Sequence, residues 1–215
     1  MNKKNIIISI ILFVVSIIYT ILVKIIDVRP IGPNNSKVGF GALNGWFHNL
    51  IGSNMTIYKI TEILGYLMFI IVLIYGCIGL YQLIKRKNVL KVDKEIIILG
   101  CLYVFMMIVY ILFEKCIINY RPILLDGELE ASYPSSHTIL SLCIGLSSLK
   151  VSKRYFNKKY VKKINLITII LMSLVVFGRL ISGVHWISDI IGGIIISLTL
   201  LSIFNMVYDY NRQVK

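Results

Sequence analysis

Six apolar runs, most of them long enough to cross a lipid bilayer, make up the larger part of this chain. A membrane-spanning helix needs about 20 apolar residues at a rise of 1.5 Å per residue. The runs lie near residues 5–28, 57–84, 95–114, 136–149, 164–183 and 187–208. With 57% apolar residues, the composition excludes an ordinary soluble globule. We therefore predict an all-α integral membrane protein, with residues 1–215 forming a single domain that is a six-transmembrane helical bundle.

Two of the runs need comment. The fourth, 136–149, is short for a span. Its polar residues include Ser141, Ser147 and Ser148. We expect it to pack inside the bundle, where neighbouring helices shield it from lipid. The first run resembles a signal peptide, but its apolar stretch is too long and no small-residue cleavage site follows it. We interpret it as an uncleaved anchor.

The lysines and arginines are unequally distributed between the two sides of the predicted membrane spans. The formal net charge is +13, and 16 of the 23 lysines and arginines fall on one side of the six runs. These are Lys3, Lys4, Lys85, Arg86, Lys87, Lys91, Lys94, Lys150, Lys153, Arg154, Lys158, Lys159, Lys162, Lys163, Arg212 and Lys215. The positive-inside rule then places both termini in the cytoplasm of a multi-pass cell-membrane protein. The basic residues orient the chain and contact membrane lipids, so we predict no nucleic-acid partner.

The same topology assigns the remaining loops, at 29–56, 115–135 and 184–186, to the outer face. The second half of the first loop has the aromatic content of a short helix lying at the membrane interface. His48 lies there, and we interpret it as an interfacial polar residue. The other two loops carry, or adjoin, the charged groups that are costly to place in an apolar chain.

The sequence Pro134-Ser135-Ser136-His137 is typical of a helix start. Proline disfavours helical geometry in the residue before it, and serine is a favoured N-cap. A helix that begins here directs unpaired N–H groups towards the outer loop, which is a ready site for phosphate. His137 lies in that first turn.

His185 and Asp189 are four residues apart, so on a continuous helix they would share a face. The carboxylate could then accept a proton from one imidazole nitrogen and leave the other as a nucleophile or base. The spacing alone is equally compatible with a pair of metal ligands.

Arginine offers a planar fork that matches phosphate oxygens. Arg121 and Arg179, together with Lys115, lie on the same side of the membrane as the two histidines. This combination predicts phosphoryl transfer through a phosphohistidine, in which one histidine attacks phosphorus and the other protonates the leaving oxygen. No His-x-x-x-His pair, cysteine cluster or paired carboxylate accompanies them, so we expect no metal and no other cofactor.

These residues resemble the signature of the type-2 phosphatidic acid phosphatase superfamily. Its motifs read Lys, six residues, Arg-Pro; then Pro-Ser-Gly-His; then Ser-Arg, five residues, His, three residues, Asp. The third is matched in spacing from Gly178-Arg179 to Asp189, with glycine for serine. The second has Ser136 for glycine. The first has five residues, not six, between Lys115 and Arg121.

The resemblance covers residues 115–189 directly and implies a role for each matched residue. His185 would be the nucleophile, Asp189 its orienting partner and His137 the general acid. The groups that it implies for phosphate binding are Lys115, Arg121, Ser135, Ser136 and Arg179.

The predicted activity is metal-independent dephosphorylation of a membrane lipid phosphate or diphosphate at the outer leaflet. The resemblance offers undecaprenyl diphosphate, phosphatidylglycerol phosphate and phosphatidic acid as substrates, and we favour the polyprenyl diphosphate. A lipid phosphotransferase with the same site, a catalytically silent relative and a transporter remain alternatives. The sequence does not decide the oligomeric state.

Overall fold

The computed structural model describes residues 2–213, and this range forms seven α-helices. The helices are α1 Lys3–Ile25, α2 Gly41–Ile51, α3 Met55–Arg86, α4 Lys94–Lys115, α5 Ser136–Tyr155, α6 Lys158–Ile181 and α7 Ile187–Gln213. Two short 3-10 turns occur at Pro33–Asn35 and Val89–Lys91. The extended pairings in this range are isolated bridges, so the predicted all-α architecture is confirmed. Lys215, which was counted among the cytoplasmic charges, lies outside the described residues.

Five helices, α1, α3, α4, α6 and α7, are long and apolar enough to cross a membrane. The remaining predicted span, the fourth run at 136–149, corresponds to α5, whose 20 residues reach about 30 Å at 1.5 Å per residue. Its composition is more polar than that of the other five. The structure therefore agrees with a multi-pass membrane protein, with five helices that meet both criteria.

Helix α5 is polar because it lies inside the bundle, as the sequence predicted. It packs against α3, α4, α6 and α7. Two of its buried serines have partners there: Ser147 Oγ donates to the Cys143 carbonyl at 2.6 Å, and Ser148 Oγ lies 3.4 Å from the Tyr75 hydroxyl. Hydroxyl groups that are satisfied within the helix or by a neighbour do not need water.

Helix α1 lies at the edge of the bundle, against α7. Its buried residues, Ser9, Ser16 and Val23, recur every seven residues and so form one narrow stripe. Ser16 Oγ lies 2.7 Å from Thr199 Oγ1 of α7. Most of the other apolar side chains of α1 are exposed, as expected for a helix that faces lipid.

An ionic network closes one end of the bundle. Asp93, just before α4, accepts from Arg86 at 2.9 Å and from Tyr155 at 3.1 Å. Although burial acts to raise it, the pKa of Asp93 is lowered by these bonds and by one from Gln82. The network joins the ends of α3, α4 and α5. The site residues of the sequence analysis lie at the other end.

Candidate active site

The segment between α4 and α5 folds back on itself as a short hairpin. Asp126 and Gly127 both have positive φ, +50° and +83°. On either side of them, Leu125 and Glu128 exchange backbone hydrogen bonds of 3.2 and 2.8 Å. Asp-Gly is a preferred pair for such a two-residue turn, because both positions need left-handed backbone.

The hairpin brings Arg121 and Ser132 to the same place. Arg121 N donates to the Glu130 carbonyl at 3.1 Å, and Ser132 N donates to the Asn119 carbonyl at 2.9 Å. The next residue, Tyr133, is 1% exposed. Its hydroxyl lies 2.8 Å from Thr20 Oγ1 of α1, and burial raises the pKa of Tyr133 to about 12. Tyr133 thus fixes the base of the hairpin against the bundle.

His185 lies in the turn between α6 and α7 and is 2% exposed. The turn depends on Gly183, whose φ of +64° is a backbone conformation that favours glycine. Any other residue at position 183 would place its Cβ 1.8 Å from the Gly52 carbonyl oxygen. His185 Nε2 lies 3.3 Å from Arg121 Nη1. Burial, followed by the positive charges of Arg121 and Arg179, holds the pKa of His185 well below its ordinary value. The imidazole is therefore neutral at physiological pH.

The relationship between His185 and Asp189 differs from the predicted one. Helix α7 begins at Ile187, so His185 precedes the helix and the two residues do not share a helical face. Ser132 lies between them. Its hydroxyl donates to Asp189 Oδ2 at 2.6 Å and lies 3.0 Å from His185 Nδ1. The four-residue spacing predicted a direct hydrogen bond between His185 and Asp189. In the structure, the Ser132 hydroxyl connects the two side chains instead.

Arg179 is a fully buried charge of the site. The side chain, near the end of α6, is 0% exposed. Its guanidinium carbon lies 4.6 Å from the centre of the Tyr58 ring. Within residues 2–213, none of its three guanidinium nitrogens has a hydrogen-bond partner. A buried cation without hydrogen bonds is costly, and an anion beside this group would reduce that cost.

The predicted helix start is confirmed, since α5 begins at Ser136. Ser135 N donates to the Asp189 carbonyl at 3.1 Å, and Ser135 Oγ accepts from Thr138 at 3.0 Å. His137, in the first turn, is half-buried and packs against α3 at Gly65. A Cβ on Gly65 would lie 2.7 Å from His137 Cδ2, so this glycine makes room for the ring.

Four of these residues line one small pocket, which we call the polar pocket. They are Arg121, Ser132, Ser136 and His185, whereas Arg179, Asp189 and His137 are not part of its lining. Lys115 is exposed at the end of α4 and does not line the pocket either, whereas its neighbour Glu114 does. The structure thus brings Arg121, Ser136 and His185 together, with Asp189 and Arg179 beside them, and leaves Lys115 outside.

An apolar cavity of about 240 Å³ adjoins the polar pocket. It lies between α3, α4 and α5. Its lining is Gly65, Tyr66, Phe69, Met106, Met107, Tyr110, Ser136, His137, Ile139 and Leu140. Tyr110, Ser136 and Ile139 line both spaces, so the two are adjacent.

Ser132 and Asn119 contribute to the site but were not predicted from the sequence. Asn119 Nδ2 donates to Asp189 Oδ1 at 3.3 Å, and both residues are buried. The Asp126-Gly127 pair was the available signal, because a hairpin turn there aligns 119–121 with 130–132. This signal would not have identified the partners of Asn119 and Ser132, because His185 and Asp189 lie more than fifty residues further along the chain.

A family model described as the PAP2 superfamily matches residues 103–213. The fold is similar to a crystal structure described as the first transmembrane PAP2 type phosphatidylglycerolphosphate phosphatase from Bacillus subtilis, with a TM-score of 0.62. The two chains are 18% identical, and the match covers 96% of this chain and 97% of the other. No curated protein matches this chain.

Proposed function

Because the chain belongs to the PAP2 superfamily, we propose that it is a membrane phosphatase that hydrolyses a lipid phosphate or diphosphate through a phosphohistidine. One observation carries the proposal. The Nε2 atom of the buried, neutral His185 faces Arg121, while the guanidinium of Arg179 is buried without a hydrogen-bond partner among the described residues. A neutral nucleophile beside two cations is the arrangement that transfer of a phosphoryl group needs.

In the first step, the Nε2 lone pair of His185 forms a bond to phosphorus while the phosphorus–oxygen bond to the leaving group breaks. His137 gives a proton to the leaving oxygen. Arg121 and Arg179 neutralise the charge on the non-bridging oxygens, and the Ser136 hydroxyl at the pocket wall donates a hydrogen bond to one of them. In the second step, water attacks phosphorus, loses its proton to His137, and the phosphorus–nitrogen bond breaks to release phosphate.

Lys115 and Ser135 have smaller parts in this proposal than the motif comparison implies. Lys115 is exposed and lies outside the pocket lining. The Ser135 N–H and hydroxyl already bond to Asp189 and Thr138. We therefore assign phosphate binding mainly to the two arginines, and to Ser135 the task of fixing the start of α5.

The apolar cavity supports a lipid substrate. It lies next to the polar pocket, between α3, α4 and α5, which is where a hydrocarbon chain would lie if its headgroup reached His185. A soluble phosphate ester would leave this apolar surface uncovered. Undecaprenyl diphosphate, phosphatidylglycerol phosphate and phosphatidic acid all combine a suitable headgroup with apolar chains.

We propose six membrane spans, with α5 as the fourth, both termini in the cytoplasm and the site on the outer face. The spanning length of α5 and its position among four other helices support the count. The distribution of lysine and arginine supports the orientation.

Phosphate release by the purified protein tests the activity. The assay uses the three lipids in detergent micelles with EDTA present, and compares wild type with His185→Ala. We expect release by the wild type and none above background by the variant. Equal release by both proteins would exclude His185 as the nucleophile, and a requirement for Mg²⁺ would contradict the metal-independent step. Transfer to an added alcohol in preference to water would indicate a phosphotransferase.

Accessibility of single cysteines tests the orientation. In a background without the native cysteines, Glu128→Cys at the hairpin and Lys158→Cys at the start of α6 are both exposed and lie at opposite ends. An impermeant thiol reagent should label position 128 in intact cells and position 158 only after permeabilisation. The opposite pattern would invert the proposed topology.

A further inference from the structure

We infer that the Ser132 hydroxyl is the positioning group that couples Asp189 to His185 and holds His185 with its proton on Nδ1. This inference rests on the proposed function, since it assigns Nε2 as the attacking atom. Ser132 is 2% exposed and lies in none of the three motifs. Its backbone is fixed by the hydrogen bond from its N–H to the Asn119 carbonyl, 2.9 Å long.

The direction of the Ser132 hydrogen bond follows from what surrounds Asp189. Four donors point at this carboxylate. They are Ser132 Oγ at 2.6 Å, the Trp186 N–H at 3.1 Å, Asn119 Nδ2 at 3.3 Å and Ser188 Oγ at 3.4 Å. Hydrogen bonds from four donors favour the ionised form of this carboxyl group, and a carboxylate can only accept. The single hydroxyl proton of Ser132 is therefore directed to Asp189.

The proton of His185 is then determined as well. Nδ1 lies 3.0 Å from Ser132 Oγ and 3.1 Å from the Ser132 carbonyl oxygen. The carbonyl oxygen can only accept, and the Ser132 hydroxyl already donates its proton to Asp189. Both neighbours of Nδ1 are therefore acceptors. A neutral imidazole has one N–H, which must be on Nδ1. Nε2 keeps its lone pair and faces a guanidinium donor of Arg121 at 3.3 Å.

Asp189 cannot replace Ser132 from its present position. The carboxylate accepts from the Trp186 N–H at the start of α7, in the manner of a side chain that caps its own helix. His185 lies outside that helix. Ser132 approaches from the hairpin, so it can bond to both groups at once. The hairpin that carries the phosphate-binding Arg121 therefore also orients the nucleophile.

Ser132→Ala tests this inference, with Ser132→Thr as the conservative variant and Ser141→Ala as the control. Ser141 is also buried, at 0% exposure, but its hydroxyl has no partner in the described part of the chain. A hydrogen bond to a charged group contributes enough that we expect kcat to fall about 10- to 100-fold in Ser132→Ala with KM unchanged. Ser132→Thr should keep more activity than Ser132→Ala, and Ser141→Ala should match the wild type.

The tautomer itself is measured independently of turnover by ¹⁵N NMR of histidine-labelled protein in detergent. The His185 signals are identified by their loss in His185→Gln. We expect a protonated Nδ1 and an unprotonated Nε2 in the wild type, and a mixture of tautomers in Ser132→Ala. A wild type protonated on Nε2, or a Ser132→Ala variant with the kcat of Ser141→Ala, would overturn the inference. The expected tautomer in a protein that releases no phosphate would instead reject the proposed function alone.

Discussion

Asn44 of α2 and Ser188 of α7 hydrogen-bond to each other twice. Asn44 Nδ2 donates to Ser188 Oγ at 2.9 Å, and Ser188 N donates to Asn44 Oδ1 at 3.2 Å. Asn44 is 0% exposed, although Trp46 and Leu50 on the same helix are 63% and 69% exposed. One side of α2 thus holds the residue next to Asp189, while the other offers an apolar surface of the kind that lies against lipid.

Asn44→Ala should reduce both stability and activity. The change removes two bonds to Ser188 and a third to the Gly39 carbonyl, and leaves buried partners unsatisfied. Loss of a buried hydrogen-bond partner costs about 1–3 kcal/mol. Thermal denaturation in detergent and kcat measure the two effects. Asn49→Ala, on the exposed side of α2, is the matched control and should behave as wild type. An unchanged Asn44→Ala protein would show that α2 does not support the site.

Substitution of Arg179 should weaken the reaction far more than substitution of Lys115. Arg179→Lys keeps the charge but loses the planar fork, and we expect kcat/KM to fall by about 100-fold or more, as for loss of a strong transition-state donor. Lys115→Ala should change kcat/KM by less than about threefold, because an exposed charge near a site is screened by water. Steady-state phosphate release measures both. A large effect at Lys115 would show that the α4 end closes over the substrate.

Gly65→Ala should act through His137. A Cβ at position 65 would lie 2.7 Å from His137 Cδ2 and 3.1 Å from Nε2, so the ring must move. If His137 is the general acid, hydrolysis of a lipid phosphate should suffer more than that of p-nitrophenyl phosphate, whose leaving group needs little protonation. The ratio of the two kcat/KM values is the measurement. Gly76→Ala, on the same helix with open space around it, is the control. Equal loss with both substrates would contradict the assignment of His137.

The pH dependence of kcat/KM should report the environment of His185. Burial, then the charges of Arg121, Arg179 and His137, lower the pKa of His185. Since protonation blocks Nε2, activity should persist below pH 6.5, the ordinary value of histidine, and fall only when His185 gains a proton at a lower pH. Arg121→Gln removes a nearby positive charge and should raise this pKa, so the acidic limb should move to higher pH.

Arg29→Gln is the matched control for that measurement. Arg29 is exposed and pairs with Asp27. Its substitution should leave the acidic limb in place. A limb that stays fixed in Arg121→Gln would show that His185 is not the group that titrates.

The sequence was sufficient to predict the helices and to place the three motifs at one end of them. It was not sufficient to predict the side-chain contacts between these motifs. Apolar runs determine where α1, α3, α4, α6 and α7 lie, because each must reach across a bilayer. The buried serines of α5 were also interpretable, since a polar helix among apolar ones belongs inside. The pairing of His185 with Asp189 was predicted with the wrong geometry, because the turn at Gly183 delays the start of α7 until Ile187.

Ser132 and Asn44 show why the rest could not be predicted. Both are small polar residues whose partners lie far away in sequence, at Asp189 and Ser188. No local periodicity marks such a residue, since a serine or asparagine in a loop is ordinary. Only the tertiary arrangement of the hairpin and α2 gives these residues a partner.

The base and the tip of the hairpin, which turns at Asp126-Gly127, differ in how far they are buried. Its base carries Arg121 and Ser132, both buried, whereas its tip at Asp126 and Gly127 is exposed. Foreign sequence is tolerated best at exposed turns that make few contacts. The tip is therefore the place on this protein to insert an epitope or attach a fluorophore, which would mark the side of the membrane where the chemistry occurs while the enzyme is still working.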